Sequence, residues 1–115
     1  MGQTEALAIE LCTEMMNVYP CQALPGSPLY LTAKQNGWKL PDSYAGYAFL
    51  SYECQPLPTN YLSAADVLRF RDQMWHRYFS HKPYLQLIEN KFGQQERRNV
   101  EDMEKIHLKR KLLRD

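Results

Sequence analysis

The sequence lacks any closely spaced pair of cysteines. Its three cysteines, Cys12, Cys21 and Cys54, are 9 and 33 residues apart, which excludes a zinc finger and a disulfide framework. The chain also has no apolar run near the roughly 18 to 20 residues that span a bilayer. Its first residues do not have the basic and then apolar pattern of a secretory signal. We therefore expect a reduced, cytoplasmic chain that does not enter a membrane.

The net charge of the chain is also small. The formal net charge is +1, so overall electrostatics will not drive the chain onto nucleic acid. What is present is a globular composition of 115 residues, 44% hydrophobic and 12% aromatic, which excludes a disordered or low-complexity chain. The charge is uneven, because residues 1–62 have 2 basic and 5 acidic side chains and residues 63–115 have 12 and 8.

The first part of the chain begins with a predicted helix and strand. Leu7 and Leu11 have helical spacing within residues 3–13, and Thr4 is the predicted N-cap. The short apolar run at 15–19 comes next and ends before Pro20. Its length and composition predict a buried strand, although periodicity alone also allows a helix.

A Pro-Gly-Ser-Pro sequence follows at residues 25–28. It predicts a tight turn, after which Ser27 caps a helix that runs to about residue 36 and ends at Gly37. The strand and this helix form one βα unit. A strand that is apolar on both faces needs neighbouring strands, and the sequence has no second strong candidate. We therefore expect the first part to belong to a larger sheet whose other strands are not encoded here.

The second part of the chain is predicted to be helical. Ser63 and Asp66 resemble a capping box at the start of one helix, Pro83 opens a second helix that Gly93 closes, and a third is predicted over 94–113. The fold class is therefore mainly α with one βα unit. The chain divides into three segments: a helix-strand-turn-helix segment at 1–37, a Pro- and Tyr-rich connecting loop at 38–62, and a helical extension at 63–115.

Several motifs together resemble a known enzyme family. The order and spacing of the motifs are the specific feature, and they cover nearly the whole chain. The stretches are residues 15–30 with PGSPLY at their end, GWKLPDSY at 37–44, PLPT at 56–59, LS at 62–63 with VLRFRD at 67–72, the helix at 84–93, and LKRKLL at 108–113. In this order they resemble the C-terminal segment of cobalamin-binding radical S-adenosylmethionine (radical SAM) enzymes.

The resemblance implies a C-terminal remnant of a partial (β/α)6 radical SAM barrel plus a helical extension. The family cleaves S-adenosylmethionine on a 4Fe–4S iron–sulfur cluster and performs cobalamin-assisted methyl transfer or oxidative cyclisation. The family's cluster is held by a CxxxCxxC motif, which this sequence lacks. We therefore expect no cofactor in this chain itself, no catalytic activity of the chain alone, and the remainder of the barrel as its partner.

The resemblance also implies a site in the loop after the strand, because ligands of α/β folds bind beyond the carboxyl ends of strands. The candidate residues that line an S-adenosylmethionine or substrate pocket are Tyr19, Cys21, Gln22, Gly26 and Ser27. Their expected role is to position the ligand, and the alternative is a turn that binds nothing. His76, His81 and His107 are 5 and 26 residues apart, which fits no zinc pattern.

Two alternatives come from other classes of protein. The chain could be a stand-alone helical interaction module that binds a protein through the Val67, Phe70 and Met74 face of a helix. Residues 105–114 have the pattern of a basic amphipathic helix, which could bind nucleic acid. We do not expect the second alternative, because the chain has no recognition motif and no overall basicity.

Overall fold

The computed structural model describes residues 1–115 and contains five α-helices and no β-strand. The helices are α1 (Gly2–Leu11), α2 (Pro28–Gln35), α3 (Ala64–Phe79), α4 (Lys82–Phe92) and α5 (Gln94–Glu104), and 3-10 turns occur at Tyr44–Tyr47 and Lys111–Leu113. The prediction of a mainly α chain is confirmed. None of the helices combines the length and the hydropathy that a membrane crossing requires.

The helix α3 begins at the predicted capping box. The Asp66 amide donates to Ser63 Oγ at 3.2 Å, and the Ser63 amide donates to Asp66 Oδ2 at 3.2 Å. These two bonds satisfy backbone donors that the first turn of a helix leaves unpaired. The helix α4 has Pro83 in its first turn and ends at Gly93, whose φ is 92°, so its predicted bounds are also confirmed.

The tight turn before α2 is confirmed as well. The Ser27 amide donates to the Leu24 carbonyl at 3.0 Å, and Gly26 has a φ of 88°. Proline at the second position and a glycine with positive φ at the third are typical of a type II turn. Ser27 Oγ then accepts from the Tyr30 amide at 3.2 Å, which makes it the predicted N-cap of α2.

The predicted strand at 15–19 is wrong. No strand forms there, and the side chains of Met15 and Tyr19 are 74% and 57% exposed instead of buried. A strand is defined by hydrogen bonds to a neighbouring strand, and the chain supplies none. The βα unit of the predicted fold class is therefore reduced to an extended segment, a turn and a helix.

Two predicted helix ends are also wrong. The helix α1 begins at Gly2 with Met1 as its N-cap, so Thr4 lies inside the helix. The last long helix ends at Glu104 instead of 113. A continued helix would place Arg110 among its exposed basic residues, whereas Arg110 is fully buried and donates to two backbone carbonyls. These tertiary contacts outweigh the favourable helix propensity of the segment, because intrinsic propensity is only a weak preference.

The chain folds as two compact units. Unit 1 comprises Met1–Val18 and Asp72–His107, and unit 2 comprises Tyr19–Arg71 and Leu108–Asp115. The division of the sequence into three segments stays a prediction. Each unit has its own core: Tyr78, Phe79, Tyr84, Leu85, Ile88 and Val100 in unit 1, and Ala23, Ala33 and Leu57 in unit 2.

Within unit 1, two buried tyrosines hold the extended segment that follows α1. Tyr78 Oη donates to the Thr13 carbonyl at 2.5 Å, and Tyr84 Oη donates to the Glu14 carbonyl at 3.1 Å. Met16 packs partly against the core of this unit. The segment is thus fixed by side chains of α3 and α4, where a strand would be fixed by a backbone ladder.

Candidate functional site

The five residues predicted from the resemblance all lie in unit 2. Tyr19 is exposed, and its ring lies 4.6 Å from that of Phe49, centroid to centroid, at an angle of 39°. Cys21 is exposed, and its carbonyl accepts from the Leu57 amide at 2.9 Å. The Cys21 thiol is therefore accessible to solvent, while its backbone anchors the loop to residue 57.

Gly26 and Ser27 serve the local backbone. Gly26 adopts the positive φ of the turn, and Ser27 Oγ already accepts the Tyr30 amide at the start of α2. The role that the structure assigns to this pair is therefore to turn the chain and cap the helix.

Gln22 reaches a different part of unit 2. Its Nε2 donates to the Gly46 carbonyl at 3.1 Å and to Cys54 Sγ at 3.5 Å. Its Oε1 is buried and has no hydrogen-bond partner. The predicted residues are thus divided among four neighbourhoods: around Phe49, around Leu57, around Gly46 and Cys54, and at the start of α2.

A cavity of about 430 Å³ lies beside the Gln22 contacts. Both residues that accept from Gln22, Gly46 and Cys54, belong to its lining. The full lining is Lys39, Pro41, Asp42, Ser43, Gly46, Glu53, Cys54, Gln55, Lys111 and Leu112. Sequence reasoning found Gln22, which donates to two lining residues, but it missed the lining itself, because no spacing pattern connects these three stretches of chain.

Two lysines and two carboxylates line the cavity, and their formal charges cancel. Glu53 accepts from Ser43 Oγ at 3.1 Å, and its Oε1 lies 3.8 Å from Lys111 Nζ. Lys39 and Asp42 add one further charge of each sign. The cavity is therefore polar and close to electrically neutral.

The wall of the cavity depends on a close approach between Gly46 and Pro41. A Cβ atom on Gly46 would lie 2.3 Å from Pro41 Cβ, a distance that no side chain tolerates. Gly46 is buried, and its carbonyl accepts from both Gln22 Nε2 and the Gln55 amide. The glycine thus lets three stretches of unit 2 meet at one point.

Residues 108–115, which we call the C-terminal strap, close one side of the cavity. Arg110 donates to the Phe49 carbonyl at 2.9 Å and to the Ser51 carbonyl at 2.8 Å, and the Lys111 amide donates to the Tyr52 carbonyl at 2.9 Å. A basic residue in a run of basic residues reads as solvent-exposed, so the sequence carried no signal for this burial.

The structure also shows where the residues of the two alternative functions lie, namely the predicted docking face of α3 and the predicted basic helix at 105–114. Val67 and Met74 are only 6% and 3% exposed and Phe70 is half-buried, so two of the three residues of the predicted docking face of α3 are buried. The segment 105–114 is not an amphipathic helix, and Arg110, one of its basic residues, is buried.

The three histidines belong to unit 1, and none of them lines the cavity. His76 and His107 stack with ring centroids 4.2 Å apart, and His76 Nδ1 lies 3.2 Å from Glu104 Oε1. No group of three or more His, Cys, Asp or Glu side chains is arranged to hold a metal ion. The three cysteines are half-buried, exposed and buried in turn, and this donor set does not fit an iron–sulfur cluster held by this chain.

Comparison with known proteins adds no relative. No family model matches the sequence, and neither a curated protein nor a solved structure matches it.

Proposed function

We propose that this chain is the C-terminal part of a cobalamin-dependent radical SAM enzyme, of the methyltransferase or oxidative cyclase type. Its role in that enzyme is to close the barrel and cover the substrate side. The observation that carries the proposal is the ordered series of motifs, from PGSPLY at 25–30 through VLRFRD at 67–72 to LKRKLL at 108–113.

Exposed apolar side chains support the proposal. Leu7, Leu11 and Met15 are 54%, 65% and 74% exposed, and α1 has no buried residue at all. Isolated exposed apolar residues are ordinary, but several in one short stretch mark a surface that another body covers. Other strands of a barrel would supply that cover.

In this proposal the chain positions ligands and does no redox chemistry. Cys21 is exposed and Tyr19 stands on the surface of unit 2, so both remain available to a pocket completed by the rest of the enzyme. The cluster would be held by cysteines of the barrel, since this chain has none at the required spacing. The chain alone is therefore inactive.

Reading the genomic DNA immediately upstream of the coding sequence tests the proposal directly. We expect an in-frame CxxxCxxC motif there. Reconstitution of the purified chain with iron and sulfide under anaerobic conditions is the companion experiment, and we expect no cluster absorption and no retained iron. A stably bound cluster on this chain alone would refute the division of roles, and an upstream frame without the motif would refute the parentage.

Hydrogen exchange provides a third measurement. The amides of residues 15–17 are expected to exchange faster in this chain than in a longer protein that includes the upstream barrel, because they would then join a strand ladder. The amides of α4 serve as an internal control, since this helix packs in the core of unit 1. Equal exchange of residues 15–17 in both proteins would count against a barrel.

A further inference from the structure

We propose that the C-terminal strap opens reversibly as a local unit and controls access to the cavity and to the thiol of Cys54. The inference stands apart from the parent-enzyme proposal, because it uses only contacts within unit 2. It assigns to the strap a function that its sequence, a short basic run, does not suggest.

The closed strap is held mainly by one buried side chain. The guanidinium of Arg110 is fully buried and donates to the Phe49 and Ser51 carbonyls at 2.9 and 2.8 Å. Hydrogen bonds from a charged donor are about twice as strong as neutral ones. The Lys111 amide adds a backbone bond to the Tyr52 carbonyl, so the closed state dominates.

The strap lines the same cavity as a buried thiol. Lys111 and Leu112 line the cavity together with Cys54, and Cys54 is 0% exposed. When the strap leaves, the cavity loses one wall and the Cys54 thiol gains a path to solvent. The thiol therefore reports directly on the opening.

The strap is weakly held beyond its two anchoring residues. Leu112 and Leu113 are only half-buried, and Asp115 is exposed. Arg114 has a φ of 63°, a left-handed conformation that residues other than glycine seldom adopt. A terminal segment with few buried contacts opens at a lower free energy than the whole domain.

Thiol labelling of a variant in which Cys54 is the only cysteine tests this inference. With Cys12→Ala and Cys21→Ser in the background, the rate of reaction with dithiobis(nitrobenzoate) is measured at increasing urea concentrations. We expect a rate that hardly depends on urea at low concentrations, because a local opening exposes little surface. At higher urea the rate should join the steep dependence of global unfolding.

Arg110→Gln is the variant that removes the anchor. Loss of two charge-assisted bonds is expected to raise the labelling rate at low urea by about 10- to 100-fold. Arg114→Gln is the matched control on the same strap and is expected to leave the rate unchanged. Lys111→Pro lacks the amide donor and is expected to raise the labelling rate by a smaller factor. This variant replaces Arg110→Gln in the experiment if Arg110→Gln does not fold.

Two results would overturn the inference. One is a labelling rate that follows global unfolding at every urea concentration, since the strap would then not open separately. The other is a folded Arg110→Gln or Lys111→Pro variant that labels no faster than the Arg114→Gln control.

Discussion

A single hydrogen atom in place of a side chain allows the cavity wall of unit 2 to form. Gly46 lies so close to Pro41 that any Cβ atom would overlap it. The sequence does not reveal this requirement, because Gly46 is not in a Pro-Gly or Asn-Gly turn and nothing nearby marks a close approach. The sequence likewise gives no indication that Arg110 is buried. Gln22 was found through the family resemblance, but its partners, Gly46 and Cys54, were not.

Gly46→Ala is expected to destabilise the chain. Either Pro41 or the loop at 43–47 must move to admit the methyl group, and overpacking of this kind costs about 1 to 3 kcal/mol in free energy of unfolding. In a Trp75→Phe background, urea unfolding followed by the fluorescence of Trp38, which belongs to unit 2, measures the loss. Gly2→Ala is the control, since a Cβ there meets nothing within 4 Å; equal stability of the two variants would contradict the argument.

Tyr84 makes the stability of unit 1 sensitive to alkaline pH. Burial raises the pKa of Tyr84 to about 12 from its ordinary value of 10.0. The neutral phenol is thus favoured in the folded state, so this contribution is complete below about pH 10 and is lost as the pH rises toward about 12. Wild type should therefore lose its advantage over Tyr84→Phe in this range, as measured by urea unfolding at several pH values. A constant difference between the two proteins would refute the assignment.

At the scale of elements, capping residues, prolines and glycines in the sequence predicted α3 and α4 well, whereas the apolar run predicted a strand that does not form. The Ser63 cap, Pro83 and Gly93 act locally, so α3 and α4 formed where they were expected. A strand depends on a neighbouring strand elsewhere in the chain, and no strand forms at 15–19. The end of α5 was missed for the same reason, because no proline or glycine marks it and the contacts of Arg110 lie far away in sequence.

The capping box of α3 is expected to weaken in acid. The hydrogen bonds from Ser63, followed by the charge and hydrogen bond of Arg69, hold the pKa of Asp66 below its usual value of 3.8. A lowered pKa stabilises the fold at pH values above 3.8, and this contribution is lost as the pH falls through the pKa of the folded state. Wild type should be more stable than Asp66→Asn at about pH 6 and nearly equal to it at about pH 2. Circular dichroism during urea unfolding measures both, with Asp102→Asn on α5 as the control.

At the scale of the whole molecule, each compact unit contains one tryptophan, Trp38 in unit 2 and Trp75 in unit 1. Caps, helical spacing and helix breakers predicted a mainly α chain, and that much is confirmed. The grouping of Met1–Val18 with Asp72–His107 could not be predicted, because it depends on contacts such as those of Tyr78 and Tyr84 with residues 13 and 14. The exposure of the apolar residues Leu7 and Leu11 of α1 likewise could not be predicted, because it depends on the fold.

Ile88→Ala is expected to lower the stability reported by Trp75. Ile88 is 3% exposed in the core of unit 1, and removal of such a side chain costs about 2 to 5 kcal/mol. In a Trp38→Phe background, the urea midpoint of Trp75 fluorescence measures the loss. Leu11→Ala, at a position that is 65% exposed, should change the free energy of unfolding by no more than about 0.5 kcal/mol. A similar loss in both variants would show that the assigned core is wrong.

The burial of Arg110 also decides how the chain meets a protease. Lys109, Arg110 and Lys111 are consecutive basic residues, the residue types after which trypsin cuts. Trypsin must take the basic side chain into its own acidic pocket, and the folded protein already holds the middle guanidinium out of reach. Lys109 and Lys111 are exposed, so limited digestion should cut after these two lysines faster than after Arg110, and a product that ends at Arg110 would identify molecules in which the C-terminal strap has opened.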